Sequence, residues 1–172
     1  MAPVHRAPLP RALVALTALA LGLAGCASSP GESATVAEVP SFAAPLVGGG
    51  ELSSADLEGT DAVLWFWAPW CTVCRAEAPD VAETAEAYED EDMALVGVAG
   101  RGELDEMAAF VAETGVEGID HIADLDGSIW AGYEVVSQPA FAFVDDDGTV
   151  EVHVGALGAD GLSDRIDDLL AS

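Results

Sequence analysis

The sequence predicts an α/β domain in which a central mixed β-sheet is covered by helices on both faces. Short apolar runs alternate along the chain with longer segments whose apolar residues recur at helical spacing. Near the C-terminus, two apolar runs are separated by Asp145-Asp146-Asp147-Gly148, a strong signal for a hairpin turn. The resulting order, β-α-β-α-β-α-β-β-α, places crossover helices between strands and ends in a hairpin and a closing helix.

The first half of the domain is organised around a pair of cysteines. Three glycines at 48–50 separate two short runs and predict a β-hairpin at the start of the domain. The next run is aromatic and uncharged, which is typical of a buried strand. In order, the predicted elements are hairpin strands at 42–46 and 51–53, a helical turn at 53–57, a strand at 62–67 and a helix from Cys71 to about Glu89.

The second half alternates strands with helices. The predicted strands are residues 93–99, 119–123, 140–144 and 149–154, and the predicted helices are residues 103–114, 126–133 and 160–170. In the helix at 103–114, the spacing predicts an inward face formed by Leu104, Met107, Ala108 and Val111. Asp126 is expected to cap the following helix, whose Trp130 and Tyr133 are expected to pack in the core.

The N-terminus reads as a secretory leader. Arg6 and Arg11 precede an apolar run at 13–23, which is too short to span a membrane because a spanning helix needs about 20 residues. An ordinary signal peptide is one interpretation. However, Leu23-Ala24-Gly25-Cys26 resembles a bacterial lipobox, which implies a signal peptide at 1–25 and a lipid on Cys26. Residues 26–40 are small and polar and predict a flexible tether, so the folded domain is expected at 41–172.

The charge balance is extreme. The chain has 31 acidic and five basic residues, and its net charge is −26. All the acidic residues follow Cys26, where the basic residues are Arg75, Arg101 and Arg165, so the mature chain carries a formal charge of −28. Such a charge repels nucleic acid and anionic lipid headgroups and argues against nucleic acid as a partner. It is compatible with a basic redox partner or with adaptation to salty surroundings, where counterions screen self-repulsion.

Cys71 and Cys74 fall where the strand at 62–67 gives way to a helix. The helix dipole and unpaired amides stabilise a thiolate at that point, and the i, i+3 spacing allows a disulfide. A zinc site would need further ligands, and His121 and His153 lie on separate predicted strands. A purely structural disulfide would close a very short loop and stabilise little. Thiol redox chemistry without a metal or other cofactor is the favoured interpretation.

The segment around these cysteines resembles the active site of the thioredoxin superfamily, especially extracytoplasmic TlpA/ResA proteins and actinobacterial DsbE/DsbF-type thiol–disulfide oxidoreductases. The resemblance is carried by Trp67-Ala68-Pro69-Trp70-Cys71-Thr72-Val73-Cys74-Arg75-Ala76-Glu77-Ala78-Pro79. It implies a thioredoxin-like fold with an N-terminal β-hairpin extension. It also implies that Cys71 is the nucleophile and that Cys74 resolves the mixed disulfide. Peroxide-reducing enzymes share this fold, but they usually have Thr-x-x-Cys instead.

The resemblance implies three further site features. Pro139 is expected in the cis form facing the cysteines, with Gln138 before it exposing its backbone to an extended substrate. Trp70 is expected at the surface of a substrate groove, whereas Trp67 is expected in the core by strand alternation. Glu77 matches a Glu near the cysteines of TlpA/ResA proteins and could handle the proton of Cys74. A solvated helix Glu is the alternative for Glu77.

Two departures from thioredoxin itself leave part of the function open. Trp65 occupies the strand position where thioredoxin has a buried Asp, so that proton acceptor is missing. The spacer Thr72-Val73 is neither the Gly-Pro of thioredoxin nor the Pro-His of strong oxidants, and spacer residues tune reduction potential. The direction of electron flow therefore stays open.

The expected function is a lipid-tethered thiol–disulfide oxidoreductase outside the cytoplasmic membrane. It would oxidise or isomerise the thiols of secreted proteins, and a membrane redox partner and the bilayer bound through Cys26 are further expected partners. A reductant in cytochrome c maturation is the alternative that TlpA/ResA proteins suggest. A non-catalytic, lipid-anchored binding module on the same scaffold is the alternative of another class.

Overall fold

The computed structural model describes residues 33–36 and 39–172, so the expected signal peptide, Cys26 and most of the expected tether lie outside the described residues. The strands are β1 (Ser33–Val36), β2 (Ala43–Pro45), β3 (Glu51–Ser53), β4 (Asp61–Trp67), β5 (Met93–Gly100), β6 (His121–Asp124), β7 (Ala140–Val144) and β8 (Val150–Val154). The helices are α1 (Thr72–Ala87), α2 (Leu104–Thr114), α3 (Ser128–Gly132) and α4 (Gly158–Leu170), with a 3-10 turn at Ser54–Leu57.

The larger sheet within the described residues has six strands in the order β1-β8-β7-β4-β5-β6. Strands β4, β5 and β6 are parallel, whereas β7, β8 and β1 are each antiparallel to their neighbours. The carboxyl ends of β4, β5 and β6 therefore meet at one edge of the sheet, where antiparallel β7 begins. We call this the carboxyl edge and define it as residues 68–74, 101–104, 125–127 and 136–139.

Both faces of the large sheet are covered, so β4 is buried along almost its whole length. Val63, Trp65 and Trp67 point to the face covered by α1, α2 and α4. The alternate residues Leu64 and Phe66 pack on the other face, with α3 and the β2–β3 hairpin. This two-residue alternation explains why the strand is continuously apolar. The expected central mixed sheet, its flanking helices and the N-terminal hairpin are all present.

The inward face of α2 differs from the prediction. Met107 and Val111 face inward as expected, but Leu104 and Ala108 are exposed, and Phe110 is fully buried instead. Phe110 stacks on Trp67 with ring centroids 4.1 Å apart. Two helical stripes share Met107 and Val111, and the one with the larger aromatic surface is buried because it removes more apolar area from water.

Two further predictions need correction. Helix α3 begins at Ser128 after Gly127, not after an Asp126 cap, although Asp126 Oδ1 still accepts the backbone N–H of Ser128. Residues 33–36 fall within the expected tether, yet their backbone forms a strand paired with β8. None of the helices in the described part of the chain is both long and apolar enough to span a membrane.

Candidate active site

Cys71 and Cys74 form a disulfide at the carboxyl edge, with Cα atoms 5.3 Å apart. Strand β4 ends at Trp67, a short turn follows, and Cys71 is the N-cap residue of α1. The backbone N–H of Cys74 donates to Sγ of Cys71 at 3.0 Å. Cys71 keeps 5% of its surface exposed and Cys74 none. The sulfur of Cys71 is therefore the one nearer to solvent, and helix amides are directed at it.

Two exposed apolar side chains adjoin the disulfide along the chain. Trp70 is 60% exposed and Val73 is 51% exposed, on either side of Cys71. The indole N–H of Trp70 donates to the backbone carbonyl of Arg101 at 2.8 Å, which fixes the ring although it faces solvent. Five large apolar side chains are strongly exposed among the described residues, and every one lies on the carboxyl edge: Trp70, Val73, Leu104, Leu125 and Val136.

The segment before β7 brings Pro139 and Gln138 to the same edge. The peptide bond between them is cis. Ala140, the first residue of β7, pairs with Phe66 of β4. Pro139 therefore lies near the carboxyl end of β4, and the chain reaches Cys71 shortly after that end. The carbonyl of Pro139 accepts the N–H of Gly155 at 2.9 Å, and Oε1 of Gln138 accepts from Arg101 at 2.9 Å. The fold therefore brings together Cys71, Cys74, Trp70, Gln138 and Pro139.

Glu77 is buried, with 4% of its surface exposed, so the alternative of a solvated helix Glu is wrong. It lies one turn after Cys74 on α1, and both side chains face inward. Its Oε1 accepts the N–H of Leu157 at 2.8 Å, at the start of α4, and its Oε2 accepts the indole N–H of Trp65 at 3.2 Å. Burial raises the pKa of Glu77, although these hydrogen bonds oppose the rise.

Trp65, which stands at the strand position where thioredoxin has a buried Asp, contacts a buried carboxyl on the neighbouring helix. Its indole is fully buried on the face of β4 that packs against α1. Because its N–H donates to Glu77, the strand supplies a donor and the helix supplies the buried carboxyl. The arrangement thus keeps a carboxyl on this side of the sheet, but places it on α1, the helix that also carries Cys74.

Asp124 is a buried residue that no sequence pattern singled out. Its Oδ1 accepts the N–H of Ile129 at 3.2 Å and its Oδ2 accepts the N–H of Trp130 at 2.9 Å. It therefore supplies the cap that Asp126 was expected to supply and holds Trp130 in place. A carboxylate ending a strand four residues before a helix is a usable signal, but the nearer Asp126 offered a simpler cap.

His121 is also buried, and its ring is fully engaged. The indole N–H of Trp67 donates to Nδ1 of His121 at 3.2 Å, so Nε2 carries the proton and donates to the carbonyl of Val116 at 2.9 Å. Burial lowers the pKa of His121 and favours this neutral ring. His153 lies on β8, which is separated from β6 by three intervening strands of the sheet, so the two histidines do not meet at one site.

Two of the three arginines that follow Cys26 lie beside the disulfide. Arg75 on α1 donates to Glu113 at 2.9 Å and to the carbonyl of Pro69 at 3.4 Å. Arg101 donates to Gln138 and to the carbonyl of Val136. The sequence pattern assigned neither arginine a role. Their scarcity among 31 acidic residues was the signal that could have singled them out.

Comparison with known proteins agrees with this geometry. The model of the AhpC/TSA family matches residues 36–153. The soluble secreted antigen MPT53 of Mycobacterium tuberculosis is 36% identical over 157 residues, which cover 90% of this chain and 88% of the antigen.

Two solved structures are also similar. MTB DsbF, solved in its mixed oxidised and reduced forms, has a TM-score of 0.71 and 41% identity, covering 74% of this chain and 94% of that one. A secreted Mycobacterium tuberculosis disulfide oxidoreductase homologous to E. coli DsbE has a TM-score of 0.68 and 40% identity, covering 74% and 96% respectively. These matches confirm the thioredoxin-like fold and the DsbE/DsbF-type resemblance that the motif predicted.

Proposed function

Because the chain belongs to the AhpC/TSA family and is a thiol–disulfide oxidoreductase like its relatives, we propose that it oxidises protein thiols outside the cytoplasm. The observation that carries this proposal is the Cys71–Cys74 disulfide, which lies at a helix N-terminus with the sulfur of Cys71 nearer to solvent. The similarity to secreted proteins supports a location outside the cytoplasm.

The proposed reaction moves two electrons from a substrate dithiol to the enzyme. A substrate thiolate attacks Sγ of Cys71, the bond to Cys74 breaks, and the sulfur of Cys74 leaves with the electron pair and takes up a proton. A second substrate thiolate then attacks the substrate sulfur of the mixed disulfide and releases Cys71 as a thiolate. The substrate leaves as a disulfide and the enzyme is left as a dithiol.

The position of each sulfur supports these roles. Cys71 is the sulfur that a substrate can reach, since Cys74 is completely buried. The N–H of Cys74 donates to Sγ of Cys71, and this amide together with the α1 dipole would stabilise the departing Cys71 thiolate. During substrate oxidation Cys71 is thus the sulfur attacked and Cys74 the leaving sulfur. In the reverse direction we assign Cys71 as the nucleophile and Cys74 as the residue that resolves the mixed disulfide.

We propose that Glu77 transfers a proton to and from the sulfur of Cys74. Both side chains face inward from the same side of α1, one turn apart. Burial raises the pKa of Glu77, so a larger fraction of the carboxyl keeps its proton near neutral pH than in an exposed Glu. Such a carboxyl can give a proton to a leaving thiolate and take it back when the disulfide re-forms. The hydrogen bonds from Trp65 and Leu157 would hold it in position.

The substrate is proposed to be an extended segment of a protein. The exposed apolar side chains of the carboxyl edge favour an extended, partly apolar segment over a compact small molecule. In this proposal Trp70 packs against the substrate and the backbone of Gln138 pairs with it. Reoxidation of the enzyme is assigned to a redox partner in the membrane.

Attachment to the membrane is proposed through a lipid on Cys26, which lies outside the described residues. Its support is the sequence Leu23-Ala24-Gly25-Cys26. In a Triton X-114 phase separation of expressing cells, the wild-type protein should enter the detergent phase and Cys26→Ala should not. If both proteins stay in the aqueous phase, the ordinary signal peptide is the correct interpretation.

The reduction potential of the Cys71–Cys74 pair tests the direction of electron flow. It can be measured by equilibration in glutathione buffers with tryptophan fluorescence as the readout, since Trp70 adjoins the disulfide. An oxidant is expected to lie above about −250 mV, and a value far below that would instead support the reductant role suggested by TlpA/ResA proteins. A disulfide that turns over with neither reduced ribonuclease A nor oxidised insulin would support the non-catalytic binding module.

A further inference from the structure

Arg101, which lies outside the cysteine motif, contacts both chain segments that border the disulfide. Its backbone carbonyl accepts the indole N–H of Trp70 at 2.8 Å. Its guanidinium donates through Nη1 to Oε1 of Gln138 at 2.9 Å and through Nη2 to the carbonyl of Val136 at 2.8 Å. One residue thereby connects the position before Cys71 to the position before Pro139.

The backbone of Arg101 adopts a conformation that side chains disfavour. Its φ is 58°, in the left-handed region, and among the described residues only Glu134 shares this property without being a glycine. A residue with a Cβ persists there when its surroundings over-determine it, and such residues cluster at functional sites. The left-handed backbone sends the carbonyl of Arg101 toward Trp70 while its side chain reaches Gln138.

A buried aromatic platform restrains the guanidinium. The guanidinium carbon of Arg101 lies 4.5 Å from the ring centroid of Trp130. Trp130 is held by its indole N–H to the carbonyl of Val98 at 3.2 Å and by its backbone N–H to Asp124. A Cβ on Gly100 would lie 2.6 Å from the indole nitrogen of Trp130, so glycine is needed there for this close approach.

We propose that Arg101 is a positioning residue that fixes the spacing between Trp70 and Gln138 and so determines how well a protein thiol fits beside Cys71. Its planar fork reaches two acceptors at once, which the single ammonium of a lysine cannot reproduce. Arg101 acts on the substrate through Trp70 and Gln138, not on the sulfurs themselves. The proposal rests on the proposed function only in taking a protein as the substrate.

Arg165 offers a matched control for the effect of charge. Its guanidinium carbon lies 4.8 Å from the ring centroid of Phe143, and Nη2 pairs with Glu151 at 2.9 Å. It therefore combines an aromatic contact with a polar partner, but it lies on α4, and neither of these contacts involves Trp70 or Gln138. Removing either arginine changes the net charge of the chain equally.

The test compares Arg101→Lys, Arg101→Ala and Arg165→Ala with the wild type. Oxidation of reduced, unfolded ribonuclease A gives kcat and KM, and reduction of the enzyme disulfide by uncharged dithiothreitol reports the sulfur chemistry without a protein substrate. Both Arg101 variants should raise KM for ribonuclease about tenfold and change the dithiothreitol rate less than twofold. Arg165→Ala should leave KM unchanged. In a Gln138→Ala background, Arg101→Ala should raise KM little further, because the hydrogen bond between Arg101 and Gln138 is already lost.

A wild-type KM for Arg101→Lys would overturn the proposal, since charge alone would then suffice. Equal losses with ribonuclease and dithiothreitol, in variants whose thermal unfolding matches the wild type, would also overturn it. If the wild type reduces insulin but does not oxidise ribonuclease, the proposed direction is wrong. The same variants are then compared with insulin, where the KM effect of Arg101 is again expected and its absence again overturns the positioning role.

Discussion

The two ends of α1 carry opposite kinds of side chain. The N-terminal end has Cys71 as its cap and Arg75 one turn in, and the first turn of this fully described helix contains no acidic residue. The C-terminal end has Glu86 in its last turn, and a run of acids follows at residues 89–92. The helix dipole favours acids at the N-terminus and cations at the C-terminus. The charge distribution of α1 is the reverse of the one that the helix dipole favours, so helix stability does not explain it. Its N-terminal turn instead holds the disulfide with no carboxylate in that turn.

The carboxyl edge also differs from the rest of the acidic surface in its exposed side chains. It holds all the strongly exposed large apolar side chains of the described residues. It also includes Arg101 and adjoins Arg75, which leaves Arg165 as the remaining basic residue after Cys26. Among the described residues, the exposed apolar side chains of this acidic chain are thus concentrated on the carboxyl edge, which also carries Cys71.

The largest effect is expected from removing the sulfur at the N-terminal end of α1. Cys71→Ser should abolish disulfide exchange, because no mixed disulfide can form. Cys74→Ser should still form one and accumulate it, since the resolving sulfur is lost. Mass spectrometry after incubation with a disulfide-containing peptide distinguishes the two. Accumulation of a mixed disulfide on Cys74 in the Cys71→Ser variant would reverse the assigned roles.

Glu77→Gln should slow exchange about 10- to 100-fold near neutral pH and flatten the pH–rate profile, because the proton of Cys74 loses its carrier. Stopped-flow rates between pH 5 and pH 9 measure this. Glu83→Gln, the same change at an exposed position of α1, is the control and should behave as wild type. A Glu77→Gln enzyme with the wild-type rate and an unchanged thiol titration would exclude the proton relay.

Glu77→Gln should also change how stability depends on pH. Burial raises the pKa of Glu77, so the folded protein holds this proton to higher pH than the unfolded chain does. The contribution of this group to stability is therefore fullest below its unfolded-state pKa and is lost as the pH rises through the raised folded-state pKa. As the pH rises from the unfolded-state pKa of Glu77 through its folded-state pKa, the free energy of unfolding of Glu77→Gln should increase relative to that of the wild type. Urea unfolding at several pH values measures this, and a parallel pH dependence for both proteins would contradict it.

Val73→Asp places a carboxylate at the N-terminal end of α1, beside Cys71. Alkylation of the reduced enzyme by uncharged iodoacetamide should slow about threefold at neutral pH, because the new charge opposes the thiolate. Val73→Asn removes the same apolar surface without adding charge and should react at nearly the wild-type rate. If both variants slow equally, the loss of the apolar side chain and not the added charge lowers the reactivity of the thiolate.

The smallest effect is expected at the other end of the helix. Glu86→Lys should raise the free energy of unfolding by about 0.5 kcal/mol, because it replaces an acid with a cation in the last turn. Urea unfolding measures the gain, with Glu86→Gln expected to give an intermediate value. Disulfide exchange should be unchanged in both variants. A slower exchange would show that the two ends of α1 are not independent.

Local sequence was sufficient for the elements that carry the sulfurs. The strand before Cys71, the helix after it and the turn at Asp145–Gly148 follow from patterns that span a few residues. The pattern was insufficient for α2, where two stripes had the correct period. Its outcome depended on Phe110 finding Trp67, a residue more than 40 positions away.

The sequence by itself determined the chemistry and its position: two thiols one helical turn apart, following a buried strand. It did so because that geometry is local to α1. Only the tertiary structure decided what surrounds the thiols. It buried Glu77 against Trp65 and the start of α4, and it brought Arg101 to Trp70 and Gln138 across more than 30 residues in each direction. Those contacts depend on which strands lie side by side in the sheet, and no short-range pattern carries that information.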